Sequence, residues 1–413
     1  MLTQMSLAVD RLQSEKGKKI LFIDHDNGYT GSTVSLIYLV KFFIEKGFYV
    51  TILTNKKGVN KKIYNAINAD VIEAKFNMHL GVHFNSADNI FSLKGLYSLL
   101  LTVNRFIMCF MMSFGIIRKI NPSIIYINEY VSFPISITGK ILKKTVVCHV
   151  RSQMIRGHLG FRRKIIQFIL THTSDKILAI SEQDAEQFYN YEKYLGEKIY
   201  VVKEFLDDHD FITAFDKDKL KTKLDIPTNK FILLTLGGFK SLKDTLDILK
   251  ALNILIEKDK DIYLIVVGKD DSDLQNKRSY LNKCLKYINE HNLQNYLKMF
   301  GILENVNKFM NICDVLINAS TDTHFSRPII EAWAKKKPII SSRLPHTEEF
   351  VDENTNGLLY EPGNFEELSQ IILLLKNDKE LGEKMGEYGL RKAKEQFYAK
   401  VNCERVLNII MNN

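Results

Sequence analysis

The residues best suited to chemistry lie in Ser320 to Ala334 (STDTHFSRPIIEAWA), directly after the apolar run DVLINA. Pro328 fits the first turn of a helix, where its missing N–H costs nothing. A helix starting there aims the backbone N–H groups around Ser326, Arg327 and Ile329 at the carboxyl end of the preceding strand, the general ligand position in open α/β sheets. A diphosphate suits such a terminus. Arg327 adds a planar cation with several donors, and Glu331, one turn further in, is within reach of a ribose hydroxyl. The alternative for Glu331 is an acidic side chain favoured by the positive end of the helix dipole. A second loop, Asp24 to Ser32 (DHDNGYTGS), brings Gly31 to another helix start, where free N–H groups can again meet an anion; a glycine there also serves purely structural ends.

Other chemistries find little support. No G-x-G-x-x-G and no G-x-x-x-x-G-K-[ST] stands at a strand end, which argues against a dinucleotide dehydrogenase and a P-loop NTPase. The five cysteines are scattered singly, without a C-x-x-C pair, so neither a disulfide framework nor a structural zinc site is expected, and a reducing compartment fits. D-x-D patterns at Asp24 to Asp26, Asp208 to Asp210 and Asp271 to Asp273 fall in the glycine loop and in charged loops, and no metal is expected at them.

These residues need a scaffold, and short β-branched runs alternating with helical patterns provide one. KILFID (19 to 24), FYVTILT (48 to 54), SIIYIN (123 to 128), TVVCHV (145 to 150) and KILAIS (176 to 181) read as buried parallel strands. Ser32 is expected to cap a helix over Thr33 to Lys46, and Ser181 with Asp184 resembles a capping pair. After a polar linker with an introductory helix over 207 to 230, FILLTLGG (231 to 238), DIYLIVVG (261 to 268), YLKMFG (296 to 301), DVLINAS (314 to 320) and KPIISS (337 to 342) continue the alternation. The expectation is an α/β protein of two Rossmann-like doubly wound domains facing each other across a cleft.

The chain has 413 residues and a net charge of +9, and the basic excess is confined to its first half: residues 51 to 165 carry 17 Lys and Arg against 4 Asp and Glu. Such a segment attracts a phosphate-rich partner or is simply a solvated lysine-rich surface. It contains the most apolar run, Gly95 to Ile117 (GLYSLLLTVNRFIMCFMMSFGII), interrupted by Arg105. Ser98, Thr102, Arg105, Cys109 and Ser113 recur at helical spacing as one small or polar stripe, so the run reads as an amphipathic helix, either largely buried or with a face dipping into a membrane interface. Residues 1 to 18 lack an apolar run of signal-peptide length and read as a loose leader.

The constellation around Glu331 resembles the GT-B glycosyltransferases of retaining family 4, and the resemblance extends over nearly the whole chain. Phe325, Pro328, Glu331, Ala332 and Ala334 stand where that family's C-terminal signature requires them. Gly237, Gly238, Lys243 and Asp244 in GGFKSLKDTLDILKAL align with its earlier glycine-lysine segment. Further matches are Gly268, Gly301, Asp314, Pro338, Glu349, Asn356-Gly357-Leu358-Leu359, Gly31, Ser181 and Glu182. The resemblance implies that Glu331 binds the donor ribose, that Lys243 holds the donor diphosphate, and that His149 in VCHVR approaches the donor sugar beside Thr323 and Phe325. Three positions depart from the pattern: Thr323 replaces a glutamate that usually contacts the transferred sugar, Gly238 replaces an arginine on the diphosphate, and Ser326 replaces a glycine. Arg327 stands close enough to restore the lost positive charge.

The implied enzyme has domains at 1–206 (acceptor) and 207–395 (nucleotide-sugar donor), with a final helix, about 396–413, returning to the first. It is expected to move a sugar with retention and without a metal from a UDP- or GDP-linked donor, with His149, Lys243 and Glu331 catalytic. Gly31, Gly237, Gly238, Lys243, Ser326, Arg327 and Ile329 surround the diphosphate. The acceptor expected is a lipid-linked glycan at the inner face of a cell membrane, with no nucleic-acid partner. A sugar-nucleotide epimerase and a catalytically silent scaffold homologue are the competing readings.

Overall fold

The computed structural model describes residues 17–28, 30–56, 59–75, 79–82, 92–156, 160–190, 197–211, 216–268, 278–301, 306–321 and 325–412. The chain forms two compact units, Met1–Phe205 with Ala399–Asn413, and Leu206–Tyr398.

In the first unit, β1 (Lys19–Asp24), β2 (Tyr49–Thr54), β3 (Asp70–Glu73), β4 (Ile124–Ile127), β5 (Thr145–Val150), β6 (Lys176–Ala179) and β7 (Ile199–Val201) form one parallel sheet ordered β3-β2-β1-β4-β5-β6-β7. The central strands are apolar on both faces because both faces are covered. Ile20 and Phe22 pack with Leu36, Phe43, Val406 and Leu407 under helices Gly31–Glu45 and Ala399–Met411. Leu21 and Ile23 point the other way, into a core with Cys109, Ile117, Phe133 and Ile166 from helices Leu93–Ile120, Phe133–Ile141 and Phe161–Thr173. Period-two alternation along β1 therefore serves two hydrophobic layers at once. The helix after β1 starts at Gly31 with Thr30 as its cap, the Thr30 hydroxyl accepting from the Thr33 N–H at 3.2 Å, rather than with Ser32. The reason is local: the Asp26 carboxylate accepts hydrogen bonds from both the Thr30 and the Ser32 hydroxyls.

Helix Leu93–Ile120 is oriented against the usual sense. Its small and polar positions Thr102, Cys109 and Ser113 are buried, and the Ser113 hydroxyl lies 2.9 Å from that of Thr138 on helix Phe133–Ile141. Small side chains let the two helix backbones approach closely, while other large apolar residues of the helix, Tyr97, Leu100 and Met111 among them, are turned outward.

The second unit holds β8 (Phe231–Leu236), β9 (Ile262–Val267), β10 (Leu297–Phe300), β11 (Val315–Asn318), β12 (Ile339–Ser342) and β13 (Leu358–Tyr360), parallel and ordered β10-β9-β8-β11-β12-β13. Helices Thr245–Lys258 and Phe365–Asn377 lie on one face, Arg327–Ala334 and Lys379–Gln396 on the other. Trp333 anchors the second layer, fully buried, with its indole N–H donating to the Asn356 carbonyl at 2.8 Å. A Cβ on Gly389 would stand 2.2 Å from that indole, so glycine is what lets helix Lys379–Gln396 seat against it.

Candidate active site

In the second unit, the sheet order reverses direction between β8 and β11, and both chains leave their strands there at the carboxyl end, the position at which open α/β sheets bind ligands. From β8 come Gly237 and Gly238, both with positive φ, their N–H groups donating to the Val267 carbonyl at 2.8 and 3.1 Å. The loop then closes through a short 3-10 turn, Ser241–Lys243, and Thr245 donates its hydroxyl to the Gly238 carbonyl at 2.7 Å. The Lys243 stem lies over Gly237, where a Cβ would come within 2.6 Å of the lysine Cγ. From β11 comes the partner loop: the Thr321 N–H and the Ser320 hydroxyl both donate to the Leu242 carbonyl, at 3.1 and 3.3 Å. The two loops thus brace each other.

Gly268 is the third component. Its φ is +139°, and a Cβ there would meet the Gly238 nitrogen at 2.6 Å and the Gly237 carbonyl carbon at 2.7 Å. Gly268→Ala must therefore displace backbone, at a cost of about 2 kcal/mol, and push the Gly237–Gly238 loop out of place. The expected result is an at least tenfold weaker nucleoside diphosphate affinity by calorimetric titration.

Helix Arg327–Ala334 begins with Ser326 at its cap and Pro328 in its first turn. The Ser326 hydroxyl does not cap the helix; it donates to the Asn318 side-chain carbonyl at the end of β11, 2.8 Å away. The Ile329 N–H, expected to face an anion, donates instead to the Ser326 carbonyl at 3.0 Å, which leaves the start of the helix to Ser326 and Arg327. Phe325 is also placed differently from expectation: its ring packs on Phe350 and Phe397, centroids 4.9 and 6.0 Å away, as part of the hydrophobic core. Thr323 and Asp271 to Asp273 lie outside the described residues. Arg327 and Glu331 are joined directly, Nε to Oε1 at 2.7 Å, and Arg327 Nη2 stands 4.0 Å from Asp210. A guanidinium shared between two carboxylates sits where both diphosphate and ribose are expected.

The first unit has its own reversal of strand order, between β1 and β4. Asp24, at the end of β1, is buried and accepts from the Tyr64 hydroxyl (2.6 Å) and the Asn60 amide (2.8 Å), while burial raises its pKa. Asp24, His25 and Asp26 are close enough to share a cation, the one such group among the described residues, but the two aspartates already accept from hydroxyl and amide donors. Gly31 is the first helical residue after this loop.

His149, on β5, is wholly buried, with Nδ1 lying 2.5 Å from the Tyr126 hydroxyl and 3.2 Å from Arg151 Nη2. Both are donors toward it, so Nδ1 is assigned as the acceptor and Nε2 as the protonated nitrogen. Burial, reinforced by Arg151, keeps the ring neutral. Arg151 also donates to Asn128 Oδ1 at 2.9 Å and to Glu204 Oε1 at 2.6 Å, and Glu204 accepts in addition from the Ser35 hydroxyl. Asn128 reaches on to the Ser32 carbonyl at 3.2 Å, so His149 is tied to the Gly31 helix through a buried polar chain. Sequence reasoning did not find Asn128, Glu129, Arg151 or Glu204; the available signal was that the first two stand immediately after a strand, at the ligand-facing end.

The Glu129 carboxyl accepts from the Tyr130 N–H (2.8 Å) and the Ser152 hydroxyl (3.2 Å), and burial pushes its pKa up to about 8. The folded state therefore holds a proton that the unfolded chain releases at an ordinary glutamate pKa, and stability falls as pH rises between those two values. Glu129→Gln mimics the protonated form. Its urea midpoint should match wild type near about pH 4 and exceed it increasingly up to about pH 8.

Residues 216–392 match the family model for glycosyl transferases group 1. Among curated proteins, the chain is similar to the N-acetyl-alpha-D-glucosaminyl L-malate synthase of Bacillus anthracis, 22% identical over 271 residues covering 65% of this chain and 67% of that enzyme. It is also similar to the poly(ribitol-phosphate) alpha-N-acetylglucosaminyltransferase of Staphylococcus aureus, 21% identical over 302 residues, 72% of this chain and 56% of that protein. Among solved structures, Anabaena HepE in complex with UDP and glucose superposes with a TM-score of 0.77 at 19% identity, over 96% of this chain and all of that one. The fold is that of the GT-B glycosyltransferases.

Proposed function

We propose that this chain, whose residues 216–392 match glycosyl transferases group 1 and whose two Rossmann-like units are of the GT-B class, moves a sugar from a nucleoside-diphosphate sugar to a lipid-linked glycan in cell-surface polysaccharide or glycolipid assembly. The observation that carries the donor half of this reading is the meeting of the Gly237–Lys243 loop with Ser320 and Thr321 where the second sheet reverses order. Departure of the nucleoside diphosphate builds negative charge on its terminal phosphate, and Lys243, Arg327 and a helix N-terminus offer preorganised positive charge without a metal. Glu331 takes the ribose. Transfer proceeds with retention: the acceptor oxygen attacks on the face from which the diphosphate leaves, and the departing phosphate oxygen takes the acceptor's proton. No protein nucleophile is required. His149, neutral and fixed by Tyr126 and Arg151, is an orienting group rather than a proton carrier.

The acceptor half rests on the basic excess of residues 51 to 165 and on the outward apolar face of helix Leu93–Ile120, which suit the inner, anionic leaflet of a cell membrane. The deciding experiment is thermal unfolding against UDP, GDP and their hexose conjugates with chelator present. At about 100 times its dissociation constant, the right nucleotide adds about 2.7 kcal/mol of stability, and Glu331→Ala loses most of it. Absence of a shift with every nucleotide would point instead to a silent homologue acting as a scaffold.

A further inference from the structure

The outward face of helix Leu93–Ile120 is more than a stripe. Tyr97, Leu100 and Met111 are 64%, 61% and 65% exposed, and the second half of the helix forms one wall of a groove of about 610 Å³ whose opposite wall is Ile72 on β3, the edge strand of the first sheet. Met108, Met111, Met112, Gly115 and Ile116 supply the helical wall at intervals of three, one, three and one, a single face of the helix. The volume falls in the range of small-molecule sites. Methionine thioethers adapt to an apolar guest, and Gly115 leaves a notch: a Cβ placed there meets nothing within 4 Å.

The rim is cationic. Glu73 is paired with Lys61 at 2.8 Å, while Lys75 and Lys119 have no carboxylate partner among the described residues. Helix Leu93–Ile120 contains no Asp or Glu at all. A second copy presenting the same face would bring the same basic excess against itself, so charge complementarity at this rim favours an anionic occupant.

We propose that this groove holds the hydrocarbon chain of an anionic lipid, with the lipid phosphate between Lys75 and Lys119. The proposal deepens, and rests on, the reading of a lipid-linked acceptor. Beyond the groove, the exposed apolar residues toward the N-terminal end carry the apolar face along the rest of this helix of about 42 Å and would lie in the interface plane of the membrane that supplies the lipid.

The test is equilibrium dialysis of the full chain, free of detergent, against dodecyl phosphate below its micellar concentration, with dodecanol and inorganic phosphate as chain-only and head-only probes. Dodecyl phosphate should bind saturably, and inorganic phosphate should not displace it. Gly115→Leu fills the notch with a better helix former and should weaken binding at least tenfold, whereas Gly115→Ala should leave it unchanged. Lys75→Gln combined with Lys119→Gln should reduce dodecyl phosphate affinity to that of dodecanol without altering dodecanol binding. Wild-type affinity in Gly115→Leu, displacement by inorganic phosphate alone, or no binding by the wild type each overturns the proposal. UDP-induced thermal shifts in the same preparations separate the two readings. A shift with UDP or GDP but no dodecyl phosphate binding refutes the groove and spares the donor site; dodecyl phosphate binding with no shift for any nucleotide refutes the donor site and spares the groove.

Discussion

Replacing Arg151 with methionine lowers the thermal midpoint of the first unit by roughly 10 °C. The guanidinium is buried and bonded to Glu204, Asn128 and His149, and its removal takes this cation from the buried Glu204 carboxylate, which keeps the Ser35 hydroxyl as a donor. Breaking one side of a buried ion pair costs about 3 to 5 kcal/mol, and a domain of this size shifts by about 2 to 4 °C per kcal/mol. The pair's net worth is much smaller than that, because desolvating both charges offsets most of their attraction. The double variant Arg151→Met/Glu204→Met therefore recovers a large part of the loss, and calorimetry of the four members of this cycle measures the coupling. A double variant as unstable as the sum of the singles would show that the two side chains act independently.

Arg327→Ala weakens nucleoside diphosphate binding at least tenfold and also destabilises the second unit by about 3 kcal/mol. The binding loss follows from the position of the guanidinium at the start of helix Arg327–Ala334; the stability loss follows from leaving Glu331 and Asp210 near each other without the cation between them. Arg327→Lys keeps the charge but not the fork, and restores stability better than binding. Glu331→Gln retains an acceptor for Arg327 Nε and binds nucleotide better than Glu331→Ala. Full nucleotide affinity in Arg327→Ala would confine the pair to a structural role.

The parallel strands were legible because continuous apolar runs bounded by turn residues leave few alternatives: β1 and β5 coincide with KILFID and TVVCHV residue for residue. β3 (DVIE) and β7 (IYV) were not, since three or four residues without alternation become strands only through their neighbours. In helix Leu93–Ile120 the stripe Ser98, Thr102, Arg105, Cys109, Ser113 was visible, but its direction was not, and Arg105 falls outside the buried face, exposed, with Ser98 half-buried. Periodicity identifies two faces, and what the adjoining helix offers decides which is buried; here Ser113 meets Thr138. At the candidate site, Gly237, Gly238 and Lys243 stand together at the end of β8, as expected of a glycine-lysine loop. The Arg327–Glu331 pair was readable from its four-residue spacing on a helix, yet each residue was assigned to the ligand rather than to the other. Arg151 and Glu204 share no local pattern, because 53 residues separate them and only the folded sheet makes them partners.

The first unit closes with Ala399–Met411, whose Val406, Leu407 and Ile410 cover Phe205 and the β1 layer, while Asn402 donates to the Glu204 carbonyl at 3.0 Å. Residues 206–398 are thus threaded into the middle of a domain that needs the chain on both sides of them. At about 5 to 20 residues per second, roughly 10 to 40 s pass on the ribosome between the emergence of Phe205 and that of Ala399. Throughout that interval one hydrophobic layer of the older domain has helix Gly31–Glu45 over it but lacks the rest of its cover. The domain synthesised first is the last to be finished, and the cell must shelter its bare face while the other is made.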